Sequence, residues 1–330
     1  MTETHAPELT AGTYRVARIP YLNVAPFFLG WNDLPGRSQG SWTTSEAPPR
    51  ALGNAAERGE LDAAVFAEAD LHRLRADFVP LTLGPGGSQI GIANHDRVGS
   101  VFLFVRDPER AGEPAPAPGA PGRVLSAAEA VRLQGTRILL TGESSTSVRL
   151  VRLLLEVWHG VRPGTWERAD LSAPVGTAQA PVGGHLARHD LPEPELRTRI
   201  APDVKAALVI GDTALRWIQR APAGFAVGMD LAAAWHAWTG LPFVFARWGV
   251  RRSVPDPARD WLARYLEASL VEAESSLEAL AQNRAPDLGP PAELAAYFRG
   301  FTYRLGPEEL AGAERFHALL AEHRITAQPD

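Results

Sequence analysis

Cysteine is absent from the 330 residues. Disulfides, thiolate nucleophiles, zinc–cysteine sites and iron–sulfur clusters are thereby excluded. Lysine is scarce: Lys205 stands alone among 33 basic residues, the rest being arginine. A Schiff-base mechanism would have to rest on Lys205, which opens an apolar, strand-like run where a structural role suits it better. No apolar run reaches the roughly eighteen residues that a membrane span needs. The segment Met1–Thr13 is polar and acidic with no apolar core, unlike a secretory signal, and the expectation is a cytoplasmic chain with no membrane partner. Excess positive charge is missing too. A net charge of -5 and a pI near 6.0 argue against a nucleic-acid or anionic-membrane surface.

What is present is the composition of a globular protein, 45% hydrophobic and 22% charged, at a length that suggests two domains with separate cores. The stretch from Arg15 to Phe28 organises the first of them. Val16, Ala17 and Ile19 form a short apolar run that suits a buried strand, and Pro20 ends it. Pro20 and Pro26 bracket Tyr21, Leu22 and Asn23, so the chain leaves the sheet edge extended or turning, with Asn23 near the tip. In open α/β sheets ligands sit beyond the carboxyl ends of the strands. Asn23 there either caps a turn or helix, or offers its amide to a ligand.

Further along, Ser45 to Phe66 reads as a helix opened by Pro48 and Pro49, closed near Gly59, and followed by a strand through Leu61, Ala63, Val65 and Phe66. With the first strand this makes a βαβ unit. Leu81 to Ile92, with Gly84, Gly86, Gly87 and Gly91, reads as a turn-rich loop lining a cleft and has the wrong spacing for a dinucleotide fingerprint. Val101–Val105 is an apolar strand, and the Pro-, Ala- and Gly-rich stretch from Glu109 to Gly122 reads as a flexible surface excursion. A second α/β unit follows: strand Arg137–Leu140, turn Thr141–Ser147, and a helix Val148–Trp158 with Val148, Val151, Leu155 and Trp158 on one face.

That turn holds Ser144, Ser145, Thr146 and Ser147 in succession at a helix start. One or two hydroxyls serve as caps in any protein; four exceed that need and point to an anion site for a carboxylate or phosphate. Ala206–Ile210 is another buried strand, after which Asp212 reads first as a helix N-cap and second as a ligand group. Thr239-Gly240-Leu241-Pro242 breaks a helix before the long apolar strand Phe243–Val250. Helices then run over Pro257 to about Gln282, Pro291–Phe301 and Pro307–His323, each opened by proline. Two apolar strands crossing between two α/β halves describe a hinged, two-lobed binding-protein architecture. The lobes are expected as 1–104 with 246–330, and 105–245, with the ligand in the cleft between them.

At this point the residues carry a resemblance. Pro-Tyr-Leu-Asn at 20–23, Arg-Gly-Glu-Leu-Asp at 58–62, Ser100 before its apolar strand, Ser-Ser-Thr-Ser at 144–147, Ile-Gly-Asp at 210–212 and Trp-Thr-Gly-Leu-Pro-Phe-Val-Phe-Ala at 238–246 resemble the chorismate dehydratases, in that family's order and over most of the chain. The resemblance implies a type II periplasmic-binding-protein fold. It also implies a lyase of the futalosine route to menaquinone that removes water from chorismate to give 3-[(1-carboxyvinyl)oxy]benzoate, with no metal or organic cofactor. On the matching positions Asn23 and Ser100 take the catalytic roles, and Tyr21, Asn94, Ser144–Ser147 and Asp212 are the expected substrate-binding residues. A non-catalytic solute-binding protein for a small carboxylate is the rival of another class. The chain departs from the family where a Ser-Asp-Gly-Pro turn is usual and Asn94-His95-Asp96-Arg97 stands instead. Asn94 can replace a hydroxyl as donor, and His95 reads as a solvated turn residue or a local acid or base. His185, His189 and Asp190 have metal-like spacing but lie in a Pro- and Gly-rich segment with no helix to align them.

Overall fold

A computed structural model describes residues 13–31, 42–84, 87–111, 113, 120–171, 200–284 and 288–326. Two sheets organise them. The first contains β1 (Tyr14–Arg18), β2 (Trp42–Glu46), β3 (Ala63–Ala67), β4 (Phe78–Pro80), β5 (Gln89–Asn94), β11 (Phe243–Arg251) and β12 (Thr302–Leu305), in the order β12-β5-β11-β3-β1-β2 with β4 also paired to β11. The second contains β6 (Val101–Arg106), β7 (Arg137–Thr141), β8 (Thr165–Ala169), β9 (Val204–Ile210) and β10 (Phe225–Asp230), in the order β10-β6-β9-β7-β8.

The helices are α1 (Pro49–Glu57), α2 (Glu68–Arg73), α3 (Ala127–Val131), α4 (Thr146–Arg152), α5 (Gly211–Gln219), α6 (Leu231–Thr239), α7 (Asp256–Ser275), α8 (Leu277–Arg284), α9 (Pro291–Arg299) and α10 (Pro307–Glu322). Parallel pairing of β1 with β3 around α1 forms the expected βαβ unit, and Gly59 closes α1 at φ +77°. Proline opens α1, α7, α9 and α10 within the first turn, where its missing N–H is one the helix leaves unpaired anyway. The strands meant to be buried are buried: every residue of β3 and Val101–Phe104 of β6 lie in the core. Each large side chain there contributes about 1.5–3 kcal/mol relative to exposure.

Four local expectations change. Gln89–Asn94 is a strand, not a loop, inserted between β11 and β12. Gly91 permits this, because a Cβ there would lie 2.6 Å from the Ala246 carbonyl oxygen, and the same glycines hid the strand pattern. The single helix over 257–282 is two helices. Ser275 and Ser276 both donate hydroxyl hydrogens to the Glu272 carbonyl, competing with the helical ladder where α7 ends. α4 is continued by a π-helical turn, Leu153–Trp158, and its burial extends beyond one face to Leu150, Leu153 and Leu154. Finally, the two long apolar strands do not themselves span the sheets, since β6 pairs only within the second and β11 only within the first.

The chain instead crosses between Asn94 and Val101 and returns between Asp230 and Phe243. Asp230, fully buried, holds both crossings. Its carboxylate accepts from the Val98 and Gly99 N–H groups of the outward segment and from Ala232 and Ala233 at the start of α6. Gly240 in the left-handed region (φ +69°) then ends α6 and releases the chain into β11. The stretch 109–122 lies partly, and His185, His189 and Asp190 wholly, outside the described residues. Among the described residues no helix is long and apolar enough to cross a membrane, and no cluster of three or more His, Asp and Glu could hold a metal.

Candidate functional site

A small cavity opens between the two sheets and is lined by residues of both. Asn23 and Ser100 both line it, as do Tyr21, Ser144 and Ser147. Its remaining walls are apolar, with Ile19, Ile92 and Phe245 from the first sheet and Val101 and Ile210 from the second.

Pro20 ends β1, and the next residues wind into a 3₁₀ helix, Leu22–Phe28. Tyr21 occupies its cap position without a side-chain cap bond, and Asn23 falls inside the helix. Asn23 is therefore no cap. Its Oδ1 is buried with no partner, while the Tyr303 hydroxyl donates to its backbone carbonyl at 3.1 Å. A buried acceptor without a donor carries a cost of about 1–3 kcal/mol, which a ligand donor would relieve. The orphan N–H of Leu22 finds Asp212 Oδ1 at 2.9 Å. Asp212 thus caps the 3₁₀ helix of the other sheet's domain and not its own helix, whose cap position is Ile210. Asp212 borders a neighbouring hollow with Tyr21 and is not part of the cavity wall.

The serine-rich turn divides its hydroxyls. Ser144 Oγ accepts from the Ser147 N–H at 3.0 Å and lies 3.1 Å from Ser147 Oγ, so these two make the local cap and face the cavity. Ser145 donates to Asp70 at 2.6 Å, and Thr146 accepts from the Ala69 N–H at 3.0 Å. These two are spent on tying the turn to α2, across the boundary between sheets. Burial pushes the Asp70 carboxyl up, against the pull of Ser145 and Arg73. Glu143, between glycine and serine in the same turn, accepts the Tyr21 hydroxyl at 2.8 Å. Desolvation, then the Glu143 charge, drives the Tyr21 phenol far above its ordinary value, so it stays a neutral donor.

Ser100 is buried between the crossing segment and β6, and its hydroxyl accepts from Tyr297 of α9 at 2.9 Å. Asn94 is fully buried outside the cavity wall, its amide nitrogen donating to the Gly300 carbonyl at 2.7 Å. His95 is half exposed and pairs with Glu309, the solvated turn residue of the two readings offered for it. Lys205 is exposed at the start of β9 and does not line the cavity.

Electrostatically the cavity is built without charged side chains. Among the described residues none of its walls is Asp, Glu, His, Lys or Arg. Helix starts supply the positive potential. Pro49 begins α1, Ala67 precedes α2, Ser144 and Ser147 flank the start of α4 and Gly211 begins α5, and all of these line the cavity. Burial lowers the pKa values of Arg149 and Arg168; for Arg149 the Asp70 charge opposes this while Arg73 and Arg50 add to it, and for Arg168 Arg50 and Arg149 add to it.

Sequence reasoning missed Tyr297, Tyr303 and the role of Glu143. The first two lie in a tail that reads only as packing, and nothing in their neighbourhood marks them. Glu143 stood in the turn already singled out for its hydroxyls.

The two sheets, their crossings and the shared cavity define a periplasmic-binding-protein-like fold. An Archaeoglobus fulgidus protein of known structure superposes with a TM-score of 0.65 over 94% of this chain and 98% of its own, at 14% identity. The periplasmic aliphatic sulphonate binding protein of Escherichia coli superposes with 0.60 over 97% and 90%, at 12% identity. The chain belongs to the menaquinone biosynthesis family, whose model matches residues 14–190 and 185–322. A Thermus thermophilus protein named chorismate dehydratase is 30% identical over 190 residues, covering 54% of this chain and 61% of that protein.

Proposed function

We propose that this chain is a cytoplasmic chorismate dehydratase. It removes water from chorismate to give 3-[(1-carboxyvinyl)oxy]benzoate in menaquinone biosynthesis by the futalosine route, with no metal or organic cofactor. The observation that carries the reading is one cavity that gathers an unpartnered amide oxygen of Asn23, the hydroxyls of Ser100, Ser144 and Ser147, and four helix starts, with no charged wall. Such a site suits a small dicarboxylate, held by amides and hydroxyls instead of by ion pairs. The named relative and the family match support the same chemistry.

Dehydration breaks the C–H bond at the ring carbon bearing the enolpyruvyl ether, forms a ring double bond, and breaks the C–O bond of the departing hydroxyl, which leaves with a proton as water. The aromatic product supplies much of the driving force. Among the described residues the cavity wall holds no side chain that is a good base near neutral pH, and the carboxylates of Glu143 and Asp212 accept from Tyr21 and Leu22. A substrate carboxylate therefore takes the proton. Asn23 orients the substrate or its leaving hydroxyl, and Ser100 hydrogen-bonds beside the proton transfer. Ser144 and Ser147 hold one carboxylate, while Tyr21, Asn94, Ser145, Thr146 and Asp212 act by bracing the walls. The lobes read from the sequence, 1–104 with 246–330 and 105–245, belong to this proposal.

The test is incubation of the purified protein with chorismate, followed by ultraviolet absorbance and proton NMR for the aromatic product. Tight binding of chorismate without turnover would favour the solute-binding alternative.

A further inference from the structure

We propose that Tyr297 is a positioning residue that turns the Ser100 hydroxyl proton into the cavity, so that Ser100 meets the substrate as a hydrogen-bond donor and not as a proton acceptor. The inference rests on the dehydratase reading and adds to it a residue and a direction for the proton.

The geometry is specific. The Tyr297 hydroxyl donates to Ser100 Oγ at 2.9 Å, across 197 residues of sequence. Gly99, at φ +70° where a side chain would be strained, turns the chain beside the Tyr297 ring, whose nearest atom lies 3.4 Å from the Cβ position. Phe301 holds the ring edge-on, with centroids 4.8 Å apart at 90°. The serine backbone is pinned as well, its carbonyl accepting the Gly211 N–H at 2.8 Å.

A serine hydroxyl has one proton and two acceptor lone pairs. With a lone pair committed to Tyr297, and no other side-chain partner for Oγ among the described residues, the Ser100 proton is left for the cavity that Ser100 lines. Desolvation raises the Tyr297 pKa far above the ordinary phenol value, so the donor keeps its proton throughout the neutral range. The polarised Ser100 O–H is then suited to a substrate oxygen that gains negative charge, either a carboxylate or the departing hydroxyl. The same tail braces the second candidate residue, because Tyr303 donates to the Asn23 carbonyl.

The test is a double-mutant cycle on chorismate turnover. Tyr297→Phe keeps the ring and removes the donor. It is expected to lower kcat roughly tenfold with KM changed less than about twofold, because the contact acts on the reacting end of the site. In a Ser100→Ala background the same substitution is expected to change nothing further. Equal losses in both backgrounds would show a structural role for Tyr297 and overturn the inference while leaving the dehydratase reading intact. Ser100→Ala at wild-type activity would overturn the inference and leave the dehydratase reading intact, whereas a wild-type protein inert toward chorismate would overturn both. If Tyr297→Phe alone does not fold, Ser100→Ala/Tyr297→Phe removes both hydroxyls together and leaves no unpaired donor. Activity of the double variant equal to that of Ser100→Ala supports the inference, and a further tenfold fall sinks it.

Discussion

The Tyr21 hydroxyl donates to Glu143 Oε2 at 2.8 Å, joining the segment after β1 to the turn before α4. The two residues are 122 positions apart and follow strands of different sheets, β1 and β7. With Ser145–Asp70, Thr146–Ala69 and Leu22–Asp212, this bond ties the elements flanking one sheet to those flanking the other.

Tyr21→Phe breaks that bond and leaves the ring in place. A single part-buried hydrogen bond is worth about 0.5–1.5 kcal/mol. The expected result is a KM for chorismate raised several-fold with kcat reduced less, and a similar free-energy loss in urea denaturation. Unchanged KM would show that the bond does not govern substrate binding.

Asn23→Ala and Ser100→Ala are expected to lower kcat by about a hundredfold, the scale of one preorganised polar contact to a transition state. Asn23→Ala removes a buried acceptor that no protein group satisfies, so its stability should fall by less than about 1 kcal/mol. Steady-state kinetics beside thermal melting separates the two effects. Wild-type turnover in both variants would remove the site assignment and leave the fold untouched.

Gly211 lies at φ +59° with the Tyr21 ring 2.9–3.0 Å from where a Cβ would stand. Gly211→Ala therefore meets both backbone strain and a rigid neighbour, for a loss of about 2–4 kcal/mol. Since Gly211 and Tyr21 line the cavity, substrate binding should weaken in parallel, readable by calorimetric titration. A variant as stable as wild type would mean that Tyr21 is free to move.

Glu68 is fully buried and is gripped by Arg247 (2.5 and 2.6 Å) and by His317 (2.8 Å), whose ring stacks on His72. Burial works to raise its pKa, but His317 and Arg247 outweigh that and hold it below the ordinary value of 4.5. A depressed carboxylate contributes stability that is present above its unfolded pKa and is lost as pH falls through the folded one. Unfolding free energy should thus decline as pH drops below about 4.5. Glu68→Gln should cost about 3–5 kcal/mol at pH 7, by stranding Arg247, and should flatten that acid limb. Urea denaturation at pH 7 and pH 4 checks this; an acid limb as steep in the variant as in wild type would assign it to other carboxylates.

The sequence by itself determined the α/β class, the βαβ start, the proline-opened helices, and the two segments around Asn23 and Ser144 that meet at the cavity. These are local properties: apolar periodicity, proline and glycine at helix ends, and hydroxyls at a helix start act over a few residues. Only the tertiary structure decided which hydroxyls face the cavity, that Asp212 caps a helix 190 residues away, and that Tyr297 and Tyr303 brace Ser100 and Asn23. A hydrogen-bond partner is chosen by how whole sheets and helices pack. A tyrosine whose role lies at the far end of its ring, against a residue 280 positions distant in the case of Tyr303, leaves no mark on its own neighbours in the chain.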